Sequence, residues 1–288
     1  MNFLLSIVKL FCHVQQRRLA IIGLCLVFIG LGGFSPTGSA GTATTDLVIA
    51  VQPILDADGT RKSYGPLCHY LARATGKTCH IYTSPNFLSY WQTMRASNAY
   101  NLVLDAAHFT DYRITKLGYV VLVKIPDTVS YSLVVLSKNL ILDPTELVGR
   151  HVATLGIPSM GAARLNQMFP NPSRQPITVE VADAERGVDL LVQGKVLAAI
   201  LPTPIISQYM QRGSPLSVVL TTDPIPHVAL SAAPSMDVAT REIIRKALLD
   251  VSKTEGGKQM LKQIGLEQFD PATAAAYAGQ SRVLMEYS

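Results

Sequence analysis

The sequence predicts an α/β protein of two lobes, each a mixed, mostly parallel sheet flanked by helices, with a ligand cleft between the lobes. Three observations carry this. From about residue 46, short continuous apolar runs alternate with stretches of helical spacing. Strands buried on both faces and joined by helical crossovers give that pattern. Between 119 and 137 the alternation yields to two long β-rich runs around Pro126-Asp127, and a second α/β set then begins. After Thr222-Asp223-Pro224-Ile225-Pro226 the chain adds one further strand and a long amphipathic helix. A first lobe, a second lobe inserted into it and a return to the first account for this order.

The elements follow in turn. Leu47-Val48-Ile49-Ala50-Val51 is an apolar strand that stops at Pro53. Residues 64–74 have helical spacing and end at Gly76, 78–82 read as a strand and 87–96 as a helix. Leu102-Val103-Leu104 is a buried strand followed by a helix to Leu117. In the second set, Asp143-Pro144-Thr145-Glu146 offers a helix cap with proline at the first helical position. Residues 152–155 form a strand, and Ser159-Met160-Gly161 opens a helix to Met168. Strands at 177–181, 198–201 and 216–220 alternate with helices over 183–193 and from Pro202. The returning strand covers 227–233, and Asp237 begins the long helix. The expected division is a targeting segment 1–40, a first lobe of 41–128 with 226–288, and a second lobe 129–225. Ligands of open α/β sheets bind beyond the carboxyl ends of the strands, so two such sheets put the site between the lobes.

The chain's beginning reads as an export signal. Lys9, Arg17 and Arg18 precede an apolar run over 19–34, and small residues at Gly38 and Ala40 suit a signal-peptidase site. The run is short of the roughly 20 apolar residues of a membrane span, the other reading being an uncleaved anchor. Either way the folded part lies outside the cytoplasm, and cleavage places it in the periplasm. Those three cations are the only charges in 1–40, so the remaining chain carries 22 basic and 20 acidic residues, a net +2 against +5 for the whole. No Lys/Arg cluster is left to track a phosphate backbone, and no nucleic-acid partner is expected. Cys68 and Cys79 remain in a compartment where a disulfide persists. With Cys68 near a helix start and Cys79 past its end, the two stand about 15 Å apart along the axis, whereas a bridge needs Cα atoms within about 7 Å. A bridge and two buried thiols both stay open.

The order of several short stretches resembles the phosphate/phosphite/phosphonate group of ABC-transporter substrate-binding proteins, which have a type II periplasmic-binding fold. The stretches are Tyr64-Gly65-Pro66-Leu67 with Tyr70-Leu71, Leu147-Val148-Gly149-Arg150-His151-Val152-Ala153, Pro224-Ile225-Pro226, and Gln268-Phe269-Asp270-Pro271 with Tyr277. The resemblance implies a small-molecule ligand, hinge closure of two lobes and a membrane ABC permease as partner. It also implies a cluster of hydroxyls where the second lobe's helix starts, since hydroxyls and free N–H groups at a helix N-terminus suit an oxyanion. This chain has Pro158-Ser159-Met160-Gly161-Ala162-Ala163 there, with one hydroxyl, and Asn101 and Leu197 where acidic residues belong. Phosphate or phosphonate is the ligand the resemblance implies, weakened by this hydroxyl-poor stretch, and the runner-up is a neutral or amphipathic organic molecule.

Candidate ligand residues each have a plain alternative. Asp105, at the end of a first-lobe strand, either accepts hydrogen bonds from a ligand or caps the next helix. His108 donates to the ligand or serves the structure. Tyr64 follows the first strand, where a loop reaches the cleft, and touches ligand or packs. Tyr131 lies in the crossing strand, where the family places a ligand contact. Ser159 can bind ligand while capping its helix, Met160 is a soft cleft wall or core, and Thr203 faces the cleft after the 198–201 strand. His69, His80, His108, His151 and His227 are scattered, and HExxH, CxxC, GxSxG and P-loop patterns are missing. A monomeric binding protein without catalytic residue, metal or cofactor is expected. A sensor docking on a membrane receptor, or an enzyme on the same fold, are the competing classes.

Overall fold

The computed structural model describes residues 46–96 and 99–287. The expected targeting segment 1–40 lies outside them. The first set of elements is β1 (Leu47–Val51), α1 (Ala57–Thr75), β2 (Cys79–Tyr82), α2 (Phe87–Ala96), β3 (Leu102–Asp105), α3 (Ala107–Leu117) and β4 (Val120–Lys124). Strand β5 (Thr128–Val129) leads to β6 (Tyr131–Leu136), β7 (His151–Thr154), α4 (Met160–Met168), β8 (Ile177–Glu180) and α5 (Ala184–Val192). Then come β9 (Ala198–Pro202), α6 (Thr203–Gln211) and β10 (Leu216–Thr221). Strand β11 (Ile225–Pro226) leads back to β12 (Ala229–Ala232), α7 (Val238–Leu249), α8 (Glu255–Ile264), β13 (Asp270–Pro271), α9 (Ala274–Tyr277) and a 3-10 stretch, Gln280–Tyr287.

The strands form a six-stranded sheet, β13-β4-β12-β3-β1-β2, and a five-stranded sheet, β10-β6-β9-β7-β8. Between them β5 and β11 pair only with each other, an antiparallel ribbon where the chain leaves the first sheet and returns. Parallel pairing is confined to β3-β1-β2 and β9-β7-β8. The sheets are more evenly mixed than mostly parallel, for a topological reason. Each sheet is entered across the ribbon by a strand, β6 in one direction and β12 in the other, that runs against both neighbours. Strands β3, β6, β9 and β12 are buried throughout, which explains their unbroken apolar runs.

Helix α1 begins at Ala57 rather than 64, because the Asp56 side chain caps it by accepting from the Gly59 N–H at 2.6 Å. Pro66 sits inside the helix, where its missing N–H removes one ladder bond. Tyr64 is therefore a helical residue and not a loop residue. Cys68 falls in the second half of α1, and Gly76 reverses the chain at φ 68°. Only glycine adopts that left-handed turn at little cost. Strand β2 then runs back beside the helix, so the Cα atoms of Cys68 and Cys79 stand 5.5 Å apart and the disulfide forms. The longer estimate placed Cys68 too early in its helix.

The two lobes share apolar packing. Ala50, Tyr90, Trp91 and Phe109 from the first join Val134, Leu155, Val188 and Leu201 from the second in one buried cluster. Burial of this kind contributes about 25 cal/mol per Å² of apolar surface. The backbone also crosses: Ala184 N–H, at the start of α5, donates to Ile54 O at 2.9 Å. The closing 3-10 stretch packs on α3, and Ser281 N–H donates to Asp111 Oδ2 at 2.8 Å.

Candidate ligand-binding cleft

Pairing in the second sheet sets Tyr131, the first residue of β6, opposite Pro202 at the end of β9. A cavity of about 270 Å³ lies where these ends, the carboxyl ends of β1 and β3, and the ribbon converge. Val51, Gln52, Ile54, Tyr64 and Leu104 line it from the first lobe, and Tyr131, Pro202, Ile205 and Gln208 from the second. Ile125, Val129, His227 and Val228 line it at the crossings, and Ile264 and Leu266 close it from the end of α8. No Asp, Glu, Lys or Arg is among the lining residues.

The polar groups of the cleft are uncharged. Gln52 Oε1 accepts from Ala106 N–H at 3.0 Å, which leaves its amide N–H groups as donors. His227 Nδ1 accepts from Val228 N–H at 2.8 Å, so the ring proton resides on Nε2. Burial and then nearby Lys124 lower His227 to about 4, and the ring is neutral at pH 7. Burial raises the Tyr64 and Tyr131 phenols above their ordinary value, so both remain protonated. The arrangement offers several hydrogen-bond donors inside an otherwise aliphatic wall.

Of the residues singled out in the sequence, Tyr64 and Tyr131 line this cleft and five others do not. Asp105 is enclosed in the first lobe at 0% exposure. Its Oδ2 accepts from Arg113 Nε at 3.0 Å and Tyr90 OH at 2.8 Å, and its Oδ1 from Thr110 Oγ1 at 3.2 Å. Burial raises its carboxyl above the usual range against the pull of the Arg113 guanidinium. It does not cap α3 either, whose N-cap is Ala106. His108, also at 0% exposure, has Nε2 3.0 Å from Pro158 O. Ser159 caps α4 by accepting from Ala162 N–H at 3.2 Å. Met160 packs beside Ala107, Tyr131 and Tyr277. Thr203 Oγ1 lies 2.9 Å from Ser132 Oγ, within the second lobe.

Gln208, Ile205, His227 and the end of α8 went unnoticed in the sequence. For Ile205 and Gln208 a signal existed, since they follow β9 on the helix that starts where Thr203 was chosen. Ile264 and Leu266 had none, because their approach depends on how α8 folds back on α1.

The sequence profile of the family described as "ABC transporter, phosphonate, periplasmic substrate-binding protein" matches residues 49–277. The chain belongs to that family. Among solved structures, this substrate-binding protein is similar to PhnD1 from Prochlorococcus marinus in complex with methylphosphonate. The TM-score is 0.73 at 12% identity, covering 84% of this chain and 97% of that one. It is also similar to a binding protein component of an ABC phosphonate transporter from Pseudomonas aeruginosa, with TM-score 0.67, 10% identity and coverage of 80% and 82%. A third likeness is XAC2383 from Xanthomonas citri bound to ATP, with TM-score 0.66, 14% identity and coverage of 84% and 99%. At these identities the likeness concerns the type II periplasmic-binding fold. No curated protein matches the chain. Membership makes this the ligand-capturing component of an ABC importer, with a small molecule and a membrane permease as its implied partners.

Proposed function

We propose that this binding protein, exported and cleaved after Ala40, captures one small molecule in the periplasm and presents it to its permease without chemical change. The bodies that close are 41–128 with 226–288 on one side and 129–225 on the other, moving about the β5–β11 ribbon as a monomer. The observation that supports this best is the composition of the cleft: its lining comes from both lobes and from both chain crossings. A molecule held there touches both bodies at once, so its binding energy favours the closed arrangement. Tyr64 and Tyr131 serve as ligand contacts in this reading, one from each lobe. Asp105, His108, Ser159, Met160 and Thr203 act behind them, fixing the walls. Native mass spectrometry of the exported protein tests it. The expected result is a start at Gly41 and one small molecule per chain that denaturation releases unaltered. A processed ligand, or a chain that keeps residues 1–40, would count against it.

A further inference from the structure

Resting on the capture reading, we infer that the cleft selects an uncharged molecule with an apolar body and a few hydrogen-bond acceptors, and excludes free phosphonate and phosphate anions. The cleft walls are aliphatic except for Gln52, Thr60, Tyr64, Tyr131, Gln208 and His227, none of which is charged at neutral pH. An anion enclosed there would lose its hydration without meeting a counter-charge. No cation stands in the lining: Lys124 is engaged beside it, and Arg113 and Arg164, which each keep one buried nitrogen without a hydrogen-bond partner among the described residues, lie outside it. Lys124 Nζ donates to Ile125 O and Asp127 O, each at 3.3 Å, and pairs with Asp270 at 3.5 Å. Arg113 is held by Asp105 at 3.0 Å. Arg164 lies outside the cleft lining, with Nη1 on Gln167 Oε1 at 2.9 Å.

The helix end that could hold an anion is closed as well. At the start of α4, Ser159 Oγ is occupied by Ala162 N–H, and Ser159 itself is 1% exposed. Met160 is 2% exposed within an apolar cluster, and His108 of the other lobe sits on Pro158 O. Free N–H groups attract anions at a helix N-terminus only where a ligand can reach them. Here the approach is filled by side chains of both lobes. The neutral donors of the cleft, by contrast, match carbonyl, ether or phosphoryl oxygens on an uncharged molecule.

Calorimetry on ligand-stripped protein, with methylphosphonate and its neutral dimethyl ester as probes, isolates charge at nearly constant shape. The ester is expected to bind at least tenfold more tightly. In Ile205→Lys, which puts a cation on the cleft wall, the order should reverse. Tighter binding of methylphosphonate to the wild type overturns the inference, most decisively if Arg164→Gln abolishes it, and leaves the capture reading intact. Binding of neither probe also overturns the assignment of these walls to an uncharged molecule of this size. The capture reading fails separately, if the exported protein carries no small molecule and its lobes do not move.

Discussion

The His108 imidazole on the first lobe donates from Nε2 to the carbonyl oxygen of Pro158 on the second, 3.0 Å away, with the ring at 0% exposure. A carbonyl can only accept, so Nε2 carries the proton and Nδ1 is bare. Among the described residues Nδ1 has no hydrogen-bond partner. A charged ring would need a second acceptor at Nδ1. Burial therefore holds His108 down to about 3, against the pull of the Pro158 carbonyl and with Arg164 adding to the lowering.

This makes stability depend on pH in a definite direction. A group whose folded value lies below its ordinary value of about 6.5 contributes stability that is complete above that value. It is lost as pH falls through the window down to about 3 for His108. His227 acts in the same sense down to about 4. For His108 the limiting slope is about 1.4 kcal/mol per pH unit. Urea midpoints at pH 7, 5.5 and 4.5 should fall in the wild type and fall less steeply in His108→Gln. Equal slopes would remove His108 from the account.

Asp105 gives a prediction that separates structure from ligand binding. Asp105→Ala leaves Arg113 buried without its counter-ion, a change that costs about 3–5 kcal/mol. Chemical denaturation should show that loss, while the folded fraction keeps its affinity for the copurifying ligand. A tenfold affinity loss with normal stability would return Asp105 to the ligand.

The Cys68–Cys79 bridge closes a short loop, with a sequence separation of 11. The chain-entropy argument gives such a loop about 3 kcal/mol. Reduction, or Cys68→Ala with Cys79→Ala, should lower the unfolding free energy by that amount without altering ligand affinity. A shift below about 0.5 kcal/mol would mean that α1 and β2 hold their reversal in the unbridged chain.

Legibility in the sequence followed the range of the interactions concerned. Strand runs such as 102–104 and 198–201 were readable because burial on both faces leaves them apolar without interruption. The inserted second lobe was readable from the Pro126 and Pro224 crossings. The start of α1 was not, because its first turns, after the Asp56 cap, are polar and show no apolar helical spacing before Tyr64. The role of Asp105 was not readable either. A carboxylate at a strand end looks the same whether it faces a cleft or an arginine two helical turns later, and only packing turns Arg113 inward. Tyr131 lines the cavity from the crossing strand, as its position implied, whereas Tyr64 lines it from inside α1 and not from the loop read there. The α8 contribution depends on distant packing, which local pattern does not encode.

Tyr64 and Tyr131 are expected to bind through their hydroxyls. Tyr64→Phe and Tyr131→Phe should each weaken binding of the copurifying ligand by about threefold to tenfold, the value of one hydrogen bond of roughly 0.5–1.5 kcal/mol. Denaturation midpoints should stay within about 0.5 kcal/mol of wild type. Unchanged affinity in both variants would place the ligand elsewhere.

The central claim is that the two lobes close on a molecule held between them, and a distance measured across the cleft tests it most directly. Ile243 on α7 and Ile177 on β8 are exposed, at 45% and 48%, and the native Cys68 and Cys79 are bridged. In the chain without residues 1–40, which contain Cys12 and Cys25, spin labels on Ile243→Cys and Ile177→Cys therefore report one pair of sites, one in each lobe. Pulsed electron resonance on ligand-stripped protein should give a broad distribution reaching to longer distances. Adding back the small molecules released from the exported protein should shorten and narrow it. The same narrow distribution in both samples would contradict capture by closure.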